Sequence, residues 1–159
     1  MHRCVAVAVV LVSCAGPPAD RSGSAIVTAV VDGDTIDVVV GAGRAERVRL
    51  IGVDTPETHH PERPVECLGP EAAARTAVLL PPGTPVLLER DREARDPYGR
   101  LLAYVRRATD GMFVNLVLLE EGLARPLTIA PNTAYRALLA DAARRAARTG
   151  LGVWSACTG

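Results

Sequence analysis

From Ala25 to Val40 the chain reads AIVTAVVDGDTIDVVV, two β-branched apolar runs on either side of Asp32-Gly33. Asp-Gly between such runs is the strongest short-range hairpin signal, so two strands are predicted there. A third strand is predicted over residues 47–53, followed by a Pro- and Glu-rich loop over 58–68. Pro70 opens a helix, PEAAARTAVLL, with Glu71 placed against its positive end and Pro81-Pro82 stopping it. TPVLLERD and GRLLAYVRR read as a fourth and a fifth strand. A short helix follows Phe113, with Val114, Val117 and Leu118 apolar and Gly122 as its stop. The last helix is predicted from near Asn132-Thr133, because Tyr135, Leu138, Leu139, Ala142 and Ala146 recur at helical spacing. Gly150 ends it, and Trp154 is expected to pack back on the body.

The predicted order is βββαββαα. Many short strands with a few covering helices point to a small barrel. A five-stranded OB-type barrel with three helices fits, an α+β fold that is mainly β, whose loops at one mouth are available to oligonucleotides. The chain has 159 residues, which suits one domain with a workable core. Nearly half of the residues are apolar, which excludes a disordered chain. Formal charge balances to zero, so no global basic field marks a nucleic-acid coat protein, although a small basic cleft on a neutral body suffices for an enzyme. All 18 Lys and Arg positions are Arg, so an arginine's position must carry more weight than its identity.

The amino terminus reads as a processing segment. After His2 and Arg3, the apolar run Cys4 to Val12 is too short to span a bilayer and has the length of a signal core. It ends in Leu11-Val12-Ser13-Cys14, which resembles the lipobox of bacterial lipoprotein signals, cut before Cys and lipidated on its thiol. The expected division is a signal over 1–13, a Pro/Gly/Ser linker over 14–24 and a domain over 25–159. An ordinary secretory signal cut a few residues later, or an uncleaved segment, are the alternatives. Export leaves Cys67 and Cys157, an even pair in an oxidising compartment, as a disulfide or as two free thiols. Adjacent His59 and His60 with Cys67 form a competing zinc reading, weakened because neighbouring histidines rarely face one ion.

Three polar stretches interrupt the apolar pattern: DGDT (32–35), VRLIGVDTPE (48–57) and DPYGR (96–100). Each has a local explanation as a turn, a loop start or an edge-strand charge. Together they hold a hard-cation ligand set, Asp34, Asp54 and the Thr55 carbonyl, because Ca²⁺ takes oxygen ligands. Glu57 stands just beyond as a carboxylate for an attacking water. Arg49 and Arg100 add two cations for charge growing on a phosphorane. An arginine in an apolar strand is tolerable if its head emerges among carboxylates, since guanidinium cannot neutralise itself. The arginines from Arg90 to Arg107 alternate with acids and read mostly as a solvated face, as do Arg144, Arg145 and Arg148.

From about Val30 to Trp154, the motifs VVDGDT, RLIGVDTPE, GPEA, DPYGRLLAYV, VN with GLA, and the terminal W resemble the staphylococcal nuclease family in order and spacing. The resemblance implies an OB barrel and a Ca²⁺-dependent nuclease that cuts DNA and RNA with little sequence preference, leaving 3′-phosphate ends. It implies calcium carboxylates at Asp34 and Asp54, a carbonyl ligand at Thr55 and a general base at Glu57. Arg49 and Arg100 match the phosphate-binding arginines, and Tyr98 a tyrosine lining the nucleotide pocket. Two departures touch the pocket: RPLTIAPN (125–132) has no tyrosine, and Pro97 stands where a basic residue is common. The expected partners are nucleic acid and, through Cys14, a membrane; a monomer is expected. The alternatives are a non-catalytic OB module that binds nucleic acid or protein, and an envelope interaction lipoprotein.

Overall fold

The computed structural model describes residues 22–58 and 64–157. The signal region, Cys14, most of the 14–24 linker, and the His59-His60 pair lie outside the described residues. Five strands close a barrel in the order β1-β2-β3-β6-β5: β1 (Ser22–Asp32), β2 (Thr35–Val40), β3 (Arg44–Leu50), β5 (Pro85–Glu89) and β6 (Leu101–Arg107). β1 is long enough to serve two neighbours. Ser22 to Ile26 pair with β5, and Ala25 to Asp32 pair with β2. Register shifts after Val27 and Val30 bend it, which is how an edge-free barrel turns its corners. β1 begins at Ser22, so the end of the sequence expected as linker is paired strand, with Ser22 opposite Glu89. β3 and β6 complete the closure in parallel, Val48 to Leu50 beside Leu101 to Ala103. Alternate strand residues fill the interior: Val27, Ile36, Val38, Val48, Leu50, Val86, Leu88, Ala103 and Val105 are buried.

The third strand does not run to Val53 as predicted. It stops at Leu50, and β4 (Gly52–Asp54) leaves the barrel to pair with β7 (Arg125–Leu127). Gly52 makes the turn at φ 81°, and a Cβ there would lie 2.3 Å from Leu139 Cδ1, so only glycine fits. Three helices pack outside: α1 (Gly69–Leu79), α2 (Val114–Glu120) and α3 (Arg136–Arg148). α3 starts later than expected because Asn132 is used elsewhere: its side chain accepts from Arg92 N and Glu93 N and donates to Glu93 O. Its buried face is Leu139, Ala142, Ala143 and Ala146, while Leu138 points outward. Tyr104, Phe113 and Tyr135 meet edge-on beneath it. Trp154 packs against the core with the Arg125 guanidinium over its ring. Among the described residues, no helix is long and apolar enough to cross a membrane.

Asn115 stitches α2 to the barrel. Fully buried, it accepts from Val105 N at 2.9 Å and donates to Ile51 O at 2.8 Å. Asn115→Ala strands both backbone groups in the core, at about 1–3 kcal/mol each. Urea unfolding is expected to register a loss of roughly 2–5 kcal/mol, and a change under 1 kcal/mol would mean that the barrel repacks around the site.

Candidate functional site

The site forms where the β1–β2 turn meets the end of β4. Two bonds clamp the turn: Thr76 Oγ1 of α1 donates to Gly33 O at 2.6 Å, and Leu50 N of β3 donates to Asp34 O at 2.9 Å. Gly33 must lack a side chain, because a Cβ there would lie 2.7 Å from Thr55 Oγ1. Asp34 is buried, with Oδ1 accepting from Thr35 Oγ1 and Oδ2 from Thr55 N, each at 3.0 Å. The Asp34 loop and the Asp54-Thr55 loop are thus tied directly together.

Arg49 projects from β3 into this junction. Its Nη2 lies 3.0 Å from Asp34 Oδ2 and 3.0 Å from Asp54 Oδ1. Its Nη1 donates to Leu50 O at 2.7 Å and Val53 O at 2.8 Å. Only 14% of the side chain is exposed, which removes the reading of Arg49 as an edge charge facing water. The strand break at Gly52 is what turns these carbonyls toward the guanidinium.

Glu57 stands at the mouth. Its carboxyl is pushed up to about 7, first by burial, then by a hydrogen bond shared with Asp32 and by the charges of Asp32 and Asp34, against the pull of Arg49. Burial also raises Asp54; Arg49 lowers it, and the charges of Asp34 and Glu66 raise it again. For both carboxyls burial is the first cause, and Arg49 opposes it. Asp32, which the sequence reading left inside a turn, also accepts from Thr58 N and Thr58 Oγ1 and so holds the start of the Glu57 loop.

Arg100 is set by a local device. Asp96 Oδ1 accepts from Tyr98 N and Arg100 N, and Oδ2 takes Arg100 Nε at 2.6 Å. Gly99 closes this turn at φ 82°. Burial raises the Asp96 carboxyl, but the Arg100 bonds overcome it and leave it below its usual range. Arg100 lines a groove with Asp32, Thr35 and Glu57, and also lines an apolar cleft of about 240 Å³ with Arg49, Leu50, Leu127 and Ile129. Tyr98, 84% exposed, stands at the rim of that cleft with the Arg100 guanidinium 5.5 Å from its ring centre. Asp34, Arg49, Asp54, Thr55, Glu57, Tyr98 and Arg100 are thereby gathered at one mouth. Asp96 and Thr76 were missed as positioning residues, although Asp-Pro-Tyr-Gly already carries the side-chain turn signal.

Several sequence readings separate from the site. Cys67 is bonded to Cys157, so its sulfur is not a zinc thiolate. Among the arginines from Arg90 to Arg107, Arg95 is bidentate to Glu46, Arg106 stacks on Phe113 and Arg107 pairs with Asp110. Arg144 and Arg145 pair with Asp141 and Glu120.

The donor set suits a hard cation. Asp34 and Asp54 converge on one point, now marked by Arg49 Nη2, and Thr55 brings oxygen from the same loop. Thr55 Oγ1 is itself buried with no hydrogen-bond partner. Among the described residues no three His, Cys, Asp or Glu side chains gather as ligands, so a cation here needs backbone oxygen and water besides the two carboxylates.

The family described as Staphylococcal nuclease homologue matches residues 47–156. The chain is 47% identical over 134 residues to a thermonuclease of Staphylococcus intermedius, covering 84% of this chain and 77% of that one. It is 42% identical over 126 residues to a thermonuclease of Staphylococcus hyicus, covering 79% and 72%. It is also 42% identical over 127 residues to the endonuclease YncB of Bacillus subtilis, covering 76% and 58%.

Proposed function

The chain belongs to the staphylococcal nuclease family, and from that premise we propose a calcium-dependent nuclease that hydrolyses phosphodiester bonds of DNA and RNA at the Asp34–Arg49–Glu57–Arg100 mouth. The observation that carries this is the meeting of Asp34 and Asp54 at one guanidinium nitrogen, 3.0 Å from each, with Glu57 and Arg100 lining one groove beside it.

Asp34, Asp54 and the Thr55 carbonyl would hold the cation, which when bound supplies Lewis-acid stabilisation of a phosphoryl oxygen and makes water a better nucleophile. Glu57 accepts the proton of the attacking water. A carboxyl raised to about 7 is a far better match to neutral pH than a free glutamate near about 4.3. Arg49 and Arg100 bind the non-bridging oxygens, whose charge grows as the phosphorane forms. The apolar cleft bordered by Tyr98, Leu127 and Ile129 takes the flat face of a base. With aliphatic side chains where the family has a tyrosine, that contact relies on apolar packing. The chain acts as a monomer, exported and tethered by lipid at Cys14.

The experiment is cleavage of single-stranded DNA by residues 22–159, with Ca²⁺ or with EGTA, beside Glu57→Gln. Cleavage with Ca²⁺ alone, falling about 10²–10⁴-fold in Glu57→Gln, is expected for loss of a general base. Binding without any cleavage would favour a non-catalytic module. A second readout needs no turnover. Because Glu57 is raised above its unfolded value, its contribution to stability is present below about 4.5 and is lost as pH rises through about 7. Ca²⁺ binds the ionised set and offsets that loss. Saturating Ca²⁺ is therefore expected to raise Tm by several degrees at pH 8 and much less at pH 5. An equal shift at both pH values would place the cation elsewhere.

A further inference from the structure

Glu57 works only if its carboxyl is held still, and its backbone is gripped from the far side of residues 59–63. Glu66 N donates to Glu57 O at 3.0 Å, and Glu57 N donates back to Glu66 Oε2 at 3.2 Å. Gly69 N donates to Glu66 O at 3.0 Å, and a Cβ at Gly69 would lie 2.8 Å from Glu57 O. Between Glu66 and Gly69 stands Cys67, bonded to Cys157. That cysteine ends a tail with firm anchors of its own. Ala156 N and Ser155 N donate to Gly152 O, and Val153 N donates to Gly122 O at 2.9 Å. A Cβ at Gly152 would lie 2.1 Å from Gly122 O, so the two backbones are in direct contact behind α2.

We propose that Glu66 is a positioning residue for Glu57, and that the Cys67–Cys157 bridge transmits the rigidity of the C-terminal tail to it. The inference rests on Glu57 being the base. Glu66 is exposed; its hydrogen bonds to the site are the reciprocal pair with the Glu57 backbone, and its charge also reaches Asp54, which it raises. The disulfide accounts for the rest of the grip: it ties an exposed turn to a part of the chain that is packed on the body. Reduction leaves Glu66 on a turn held by Gly69 and by its own two bonds to Glu57, without the tie to the tail. The base then samples positions around the productive one, and rate falls while substrate binding does not. Displacement of a catalytic group by about 1 Å is enough to cost up to about 10²-fold.

The test measures kcat and KM on single-stranded DNA with Ca²⁺ for Glu66→Ala, Glu66→Gln, the Cys67→Ser/Cys157→Ser pair and Glu57→Gln, alone and combined. Glu66→Ala and the serine pair are each expected to lower kcat about 10-fold with KM within about twofold. Glu66→Gln keeps an acceptor oxygen without the charge and is expected to restore most of the rate, which separates positioning from electrostatics. In the Glu57→Gln background neither change is expected to cost anything more. Losses that add to Glu57→Gln, or a kcat unchanged in both Glu66→Ala and the serine pair, would overturn the proposal. If the serine pair does not fold, Glu66→Ala in the bridged protein decides. A Glu57→Gln protein with full activity would remove the base assignment itself, an outcome distinguishable from failure of the grip.

Discussion

Arg49→Lys is expected to lower cleavage of single-stranded DNA by about 10²–10⁴-fold, more than its single-charge conservation suggests. The guanidinium spreads two nitrogens over four acceptors: Leu50 O and Val53 O on one side, Asp34 and Asp54 on the other. An ammonium is one point and cannot span them. It also cannot offer a planar fork to a phosphate whose charge increases in the transition state. With only 14% of the Arg49 side chain exposed, water cannot replace the missing donors. Two losses are therefore combined, and they can be told apart. A loss of transition-state binding appears in kcat, and a loss of the loop junction appears in the urea midpoint. Arg100→Lys is the comparison, because Arg100 leans on a single acid, Asp96. A fall below tenfold for Arg49→Lys would assign this arginine to holding the loops rather than to the phosphate.

Opening the Cys67–Cys157 bridge is expected to cost about 4–5 kcal/mol if chain entropy alone counts, since the closed loop spans 90 residues. For a domain of this size that is on the order of 10 °C in Tm. The check is the urea midpoint of the bridged protein against the double serine variant at equal pH. The bridge joins the turn before α1 to the segment after the Gly152–Trp154 turn, and so encloses α1, β5, β6, α2, β7 and α3. A loss under 1 kcal/mol would mean that the unfolded chain already keeps these ends close, and the entropic account would fail. The catalytic effect proposed for Glu66 is read on protein kept well below its midpoint, so the two consequences do not mix.

The elements of the barrel were legible because they are local. β-branched runs around Asp32-Gly33 name a hairpin, and Pro70 with Glu71 names a helix start. Errors fell where a distant segment intervenes. Residues 47–53 look like one strand, but Gly52 turns so that β4 can pair with β7, more than seventy positions away in sequence. Asn132 looks like a helix start, but its side chain is committed to the Glu93 backbone. Leu138 fits a helical stripe by spacing, yet Ala143 takes the buried place, since small residues let α3 lie close.

By itself the sequence determined the inventory: which oxygens and which guanidinium groups are present, which backbone turns are possible, and which two cysteines can pair. Those are properties of residue types and near neighbours, and the arrangement of motifs was enough to name the family. Only the tertiary structure decided that Arg49 is buried between Asp34 and Asp54, that Glu66 bonds to the Glu57 backbone while Asp32 holds Thr58 beside it, and that Arg90 to Arg107 hold several self-paired charges. Burial and charge proximity depend on which segments meet, and the Glu57 carboxyl moves toward 7 because the fold takes it partly out of water and sets it beside Asp32 and Asp34.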